Sequence, residues 1–265
     1  MSYHIRFLSG SFELCTTSET LKSHILKNYS IIDSPAQNPL FTIHVFSKAI
    51  KHKFEIKMVS KNEGVVYLND AWGEIHFNEF SFYLKCLVQF IGFKYDAFLI
   101  HASSFVHEGY GYVFSGKSGI GKSTIVSFSN RNHIVADDTV FITRINNQFV
   151  LFPSSFEKNN SLYEDFPIPL QKIFFLHQCN KTYVNDIQSP LKEHLCMENN
   201  FFFELLQQFT VTHEYFTMKS IIYEFAHELS QSVAIQNLYF EKNQKFLSLI
   251  GLPKGELNKP KHKID

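Results

Sequence analysis

Between Tyr110 and Phe128 the chain reads YGYVFSGKSGIGKSTIVSF, and no other stretch restricts the fold as much. Its centre matches G-x-x-x-x-G-K-[ST] at Gly116, Gly121, Lys122 and Ser123. An apolar run, Tyr112–Phe114, precedes it, and an apolar helical pattern follows. Such a loop has to leave the end of a strand and enter a helix, and that is its context here. The chemistry fits the residue types. Glycines permit backbone angles that turn successive N–H groups toward an anion. The helix start adds positive partial charge. A lysine bridges β- and γ-phosphates, and a serine hydroxyl ligates Mg²⁺. The nucleotide-binding stretch is predicted to be Gly116, Lys117, Ser118, Gly119, Ile120, Gly121, Lys122, Ser123 and Thr124.

Fifteen residues further on, from 122 to 137, the run IVADD ends in Asp137 and Asp138. An acidic group at a strand end holds Mg²⁺ in phosphate-loop proteins. Neighbouring strand residues face opposite ways, so a regular strand offers only one of the two to the phosphates. A bulge or strand end offers both. HIVADDTVFI (133–142) is read as one strand, pairing with QFVLF (148–152) across INN.

Upstream, FLIHASSFVH and GYVFSG read as two strands joined by the turn EGYG. Their pairing would carry His101 toward the start of the loop. Residue chemistry alone does not single out His101 among 13 histidines.

Elsewhere, KIFFLH (172–177) reads as a strand. Residues 189–250 read mostly as helix, with a strand near SIIYEF. In the first 95 residues, KFEIKMV partly alternates, GVVYL and GEIHF flank a hairpin loop NDAW, and residues 79–93 form an amphipathic helix. A second helix spans 17–28, capped by Thr17 or Ser18. The predicted organisation is an N-terminal α+β part (1–95), a catalytic domain (96–253) and a polar, lysine-rich tail (254–265).

Lys plus Arg and Asp plus Glu both number 25, so net charge offers nothing to a nucleic acid or a membrane surface. No apolar run reaches the roughly 18 residues of a membrane span. The four cysteines are dispersed and read as buried reduced thiols. With no signal-peptide pattern at the start, a reducing cytoplasm is expected. The 29 Phe, spread along the chain, read as core.

The order LIHASSFVHEGYGYVFSGKSGIGKST…NHIVADD resembles the catalytic domain of the HPr kinase/phosphorylase family, most closely the small HPr-kinase-like proteins of peptide-modifying gene clusters. The resemblance is specific over about residues 98–142. It continues more weakly at PLQKIFFL and at NLYFEKNQKFLSLI, which are similar to the family's later strand and closing helix. It implies a phosphoenolpyruvate-carboxykinase-like α/β fold with mixed sheets around a P-loop. It also implies a kinase using ATP and Mg²⁺ to phosphorylate a serine-type hydroxyl on a peptide, protein or small metabolite. Carried over, Asp137, Asp138 and His101 are catalytic, and Ser123 and Asp137 hold the metal. The chain departs from the family after the Asp pair, where PSSFEKNNSLYEDF replaces a glycine- and arginine-containing stretch. No arginine follows Arg144, and Lys158 or Lys172 are the available substitutes. A nucleotide-responsive binding protein without transferase activity is the alternative. A homo-oligomer is compatible with either reading.

Overall fold

The computed structural model describes residues 2–33, 38–48, 54–60, 62–69, 77–128, 133–154, 156, 166–199, 213–241, 243 and 245–250. The chain divides into two units: Met1–Tyr95 with Ser154–Asn159, and Asp96–Pro153 with Asn160–Asp265. The polar tail and the NDAW loop beyond Asn69 fall outside the described residues, as does Lys158.

Among the described residues, the first unit is a six-stranded mixed sheet with two α-helices. Its strands are β1 (Ser2–Phe7), β2 (Gly10–Thr16), β3 (Ile31–Ile32), β4 (Thr42–Lys48), β5 (Phe54–Ser60) and β6 (Glu63–Asn69), in the order β3-β1-β2-β4-β6-β5. Helix α1 (Glu19–Asn28) starts at Ser18, whose hydroxyl accepts the Leu21 N–H at 3.3 Å. That bond satisfies one of the orphan donors of the first turn. Helix α2 (Phe77–Gly92) buries Phe80, Leu84, Leu87 and Ile91 at spacings of three and four. Phe12 stacks on Phe41 within this core.

The second unit carries β7 (Ala97–His107), β8 (Tyr110–Ser115), β9 (Ile134–Ala136), β10 (Thr139–Ile145), β11 (Gln148–Pro153), β12 (Ile168–Gln178), β13 (Tyr183–Asp186) and β14 (Ala234–Phe240). Its helices are α3 (Lys122–Ser127), α4 (Leu191–Glu198), α5 (His213–Ser232) and α6 (Lys245–Leu249). The strand order is β11-β10-β7-β8-β12-β14-β13; β9 also pairs with β7, and β11 with β12. In this unit β12 runs parallel to β8 and β14 while the other pairings are antiparallel, and in the first unit β4 runs parallel to β2 and β6, so both units have mixed sheets. The β7–β8 connection is Glu108–Gly109 alone, with φ of 50° and 78°. Two consecutive left-handed residues make the tight turn that matches strand twist, which is why the connection is shorter than EGYG. Asn146 and Asn147, at φ 50° and 62°, do the same between β10 and β11.

Three sequence expectations are corrected. HIVADDTVFI is two strands, not one, interrupted at Asp137–Asp138. SIIYEF lies inside α5, where Ile222, Phe225, Ala226 and Leu229 are buried on one helical face; the strand comes afterwards, as β14. Among its described residues, the Asn237–Ile250 segment is strand to Phe240 and helical over Lys245–Leu249 alone. Phe105, Phe114, Phe174, Leu238, Phe240 and Phe246 form the core beneath α3 and α6, with Phe114 stacked on Phe174. Of the cysteines, Cys86 and Cys196 are buried but Cys15 and Cys179 are only half-buried; all four are thiols outside any disulfide. Among the described residues no helix is long and apolar enough to cross a membrane.

Candidate functional site

The site is built where β7 changes partners. Residues 97–101 of β7 pair with β10, ending at His101 opposite Thr139. Residues 102–107 pair on the other edge with β8, starting at Ala102 opposite Ser115. On the β10 edge the neighbouring strand resumes as β9, with Ser104 opposite Ala136. Asp137 and Asp138 occupy the gap between β9 and β10, and the Ala102 N–H donates to the Asp138 carbonyl at 3.0 Å. The end of β8, the acidic pair and His101 therefore share one level of the sheet. The gap answers the alternation problem: neither Asp sits inside a regular strand, and both are half-buried.

The loop leaves β8 at Gly116. Gly116, Gly119 and Gly121 have φ of 148°, 76° and 118°, values that side chains with a Cβ rarely adopt. The Ile120 N–H donates to the Lys117 carbonyl at 3.2 Å, closing a turn. Lys122, the first residue of α3, is 7% exposed, and its ammonium donates to the Gly116 and Lys117 carbonyls at 2.9 and 3.3 Å. Burial lowers its pKa below the ordinary lysine value, while the nearby charges of Asp138 and Asp137 pull it partly back. Lys117, Ser118, Gly119 and Ser123 are exposed; Ile120 is half-buried against the core, and Thr124 is half-buried.

His101 Nε2 lies 3.1 Å from Asp138 Oδ1, with both side chains partly open to solvent. The structure thus brings together Lys122, Asp137, Asp138 and His101. Arg144 is not among them. It lies beyond the Ala97 end of the β7–β10 pairing, where it binds Asp96 and Glu228. Lys172 is opposite Tyr112, three residues short of Ser115 along β8, with its ammonium 5.6 Å from the Phe174 ring centre. At about 3.3 Å per residue its backbone is on the order of 10 Å from the end of β8.

Three supports of the loop have no motif in the sequence. Gln178, the last residue of β12, donates to the Gly119 and Ile120 carbonyls at 3.2 and 3.0 Å. Phe240 closes against Gly121. Asn199, at the end of α4, reaches Ser115 and His101. Only Gln178 has a partial signal, as the polar end of an apolar strand. The other two depend on which strand and helix arrive beside the loop.

Among the described residues no group of three or more His, Cys, Asp or Glu could hold a metal ion. The donor set at hand, two carboxylates and the Ser123 hydroxyl, is all hard oxygen. It fits Mg²⁺, which takes one or two protein carboxylates and keeps several waters.

No family model matches the chain, and no curated protein matches it. Among solved structures, the Hpr(Ser) kinase/phosphatase from Coxiella burnetii is matched over 50% of this chain and 98% of that one, at 15% identity and a TM-score of 0.24.

Proposed function

We propose that the chain is an ATP-dependent kinase that moves the γ-phosphoryl group to a hydroxyl, most simply that of serine, on a peptide, protein or small metabolite. The observation that carries this reading is the convergence of the His101–Asp138 pair and Lys122 at the level where the glycine loop leaves β8.

The loop from Gly116 to Thr124 binds the nucleotide phosphates. Lys122 exchanges its two carbonyl partners for β- and γ-phosphate oxygens, a stronger charge-assisted contact. Ser123 and Asp137 would hold Mg²⁺, which neutralises developing charge when bound. Asp138, oriented by His101, accepts the proton of the acceptor hydroxyl. The acceptor oxygen bonds to the γ-phosphorus, the bond from that phosphorus to the bridging oxygen breaks, and ADP leaves with those electrons. Holding the reactants in line supplies much of the acceleration in such transfers.

A second reading has one specific observation behind it. The arginine described in this unit, Arg144, is engaged by Asp96 and Glu228 away from the loop. A nucleotide-responsive binding protein would need no transition-state arginine. Incubation with γ-labelled ATP, Mg²⁺ and pooled serine peptides and alcohols separates the two, with Asp138→Asn as the blank. Label transfer above the blank supports the kinase; binding of ATP with no transfer or hydrolysis above the blank supports the sensor.

A further inference from the structure

Asn199 ends α4, and all of its polar groups are engaged. Its backbone carbonyl accepts the His101 N–H at 2.9 Å. Its side-chain oxygen Oδ1 accepts from the Ser115 hydroxyl at 2.7 Å, and its Nδ2 donates to the Leu195 carbonyl at 2.7 Å. The Leu195 carbonyl also receives the Asn199 backbone N–H at 3.3 Å, so Asn199 closes on the last turn of α4 with both its nitrogens. Ser115 is 1% exposed, and its hydroxyl also lies 2.8 Å from the His101 carbonyl. The His101 N–H is therefore held by Asn199, while the His101 carbonyl and Asn199 Oδ1 share the single proton of the Ser115 hydroxyl, which ties the two residues together. Ser115 is also the residue immediately before Gly116.

The helix that brings Asn199 is fixed at its other end. Glu193, in the first turn of α4, is 3% exposed. Its Oε1 lies 2.7 Å from the Ser189 hydroxyl and 3.1 Å from that of Ser230 on α5. A buried carboxylate held by several donors resists displacement, because moving it away leaves a desolvated charge without partners. A helix anchored to α5 thus reaches into the sheet where β7 changes partners.

We infer that Asn199 is a positioning residue: through Ser115 and the His101 backbone it sets the height of the His101–Asp138 pair relative to the start of the phosphate loop. Its consequence for turnover rests on the kinase reading, whereas its grip on His101 does not.

The test uses the full chain with Asn199→Ala, Ser115→Ala and the double variant. Hydrogen exchange of the His101 and Ala102 amides is expected to accelerate about tenfold in each single variant, as for loss of one buried hydrogen bond, while Phe141–Thr143 stays protected. The double variant is expected to exceed Asn199→Ala, because Asn199→Ala still leaves the Ser115 hydroxyl on the His101 carbonyl. With ATP and an acceptor found as above, kcat should fall about tenfold while the Kd for Mg·ATP stays within about twofold, since the loop's phosphate contacts remain. His194→Ala, on the exposed face of α4 with Glu198 as partner, is the control and should leave kcat unchanged. Unchanged exchange at His101 and Ala102 in both single variants overturns the inference, whether or not any transfer is seen. Wild-type kcat in Asn199→Ala overturns the positioning role and leaves the kinase reading standing. Accelerated exchange in variants of a wild-type chain that transfers no phosphate supports the grip and sinks the kinase reading.

Discussion

Gly121 and Phe240 leave no room for a methyl group between them: a Cβ on Gly121 would lie 2.8 Å from Phe240 Cζ, and Gly121 itself sits at φ 118°. Sterics and backbone geometry thus both require glycine where the loop enters α3. Gly121→Ala is expected to destabilise the fold by on the order of 1–3 kcal/mol, the usual cost of a strained backbone position, and to weaken nucleotide binding. Gly119, at φ 76° with nothing within 4 Å of its Cβ position, separates the two effects. Gly119→Ala should cost only the backbone part, about 1–2 kcal/mol. Thermal unfolding of both variants checks this, and equal losses would show that Phe240 imposes nothing.

Lys122→Ala removes the ammonium that the loop carbonyls hold. Hydrogen bonds to charged groups are worth about 1.5–3 kcal/mol, so Mg·ATP affinity should fall tenfold or more. Calorimetry giving unchanged affinity would sink the nucleotide assignment.

Much of this site can be read along the chain because its parts are local. Gly116 to Ser123 is one contiguous motif, and His101 is joined to it by a single tight hairpin whose register follows from a two-residue turn. The break at Asp137–Asp138 could not be read this way. IVADDTVFI is apolar on both sides of the pair, and the interruption arises because β7 pairs with β9 and β10 in succession along one edge. Ile221 and Ile222 in SIIYEF suggest a strand by composition, yet Phe225, Ala226 and Leu229 continue the burial at helical spacing. Gln178, Asn199 and Phe240 reach the loop from elements 58 to 84 positions away from their partners or, for Phe240, from a parallel strand added last. No local pattern encodes such an approach.

The lowered pKa of Lys122 gives a pH dependence with a definite sign. Between that lowered value and the ordinary 10.5, the unfolded chain keeps a proton that the folded chain has released. Stability of the nucleotide-free protein should therefore rise with pH through that window as far as this group is concerned. Nucleotide binding should run the other way. Phosphate oxygens favour the ammonium, so binding takes up a proton and affinity falls as pH rises through the lowered pKa. Calorimetry in two buffers of different ionisation enthalpy counts that proton. Uptake is expected as pH rises toward the ordinary lysine value and should vanish in Lys122→Ala; equal uptake in both would assign the proton to another group.

Asp137→Asn and Asp138→Asn are expected to fail differently. Asp138 is paired with His101 and Asp137 is not assigned that partner. Removal of a general base costs about 10²–10⁴-fold, so Asp138→Asn should lose turnover while keeping its Mg²⁺ midpoint. Asp137→Asn should need more Mg²⁺ and recover part of its rate when the ion is raised. Steady-state rates across a magnesium titration check both, and identical profiles would remove the division of labour.

His101→Ala should lower turnover more than it lowers stability. The imidazole is about one-third exposed and 3.1 Å from Asp138, so the pair adds little to folding, as exposed ion pairs generally do. What it fixes is the direction of the carboxylate at the level of the loop. Loss of a group that orients a base typically reaches 10²-fold in rate, because a displacement of about 1 Å is enough. His107 is the matched control: it is on the same strand, at the hairpin end, with its ring nitrogen 3.8 Å from the Glu108 carboxylate. His107→Ala removes a ring of the same size from β7 without touching Asp138. Turnover and thermal midpoint are to be measured for both variants. A fall in kcat of about 10²-fold confined to His101→Ala, at similar midpoints, would establish the role of the pair. Equal kcat in the two variants would reduce His101 to a residue of the sheet.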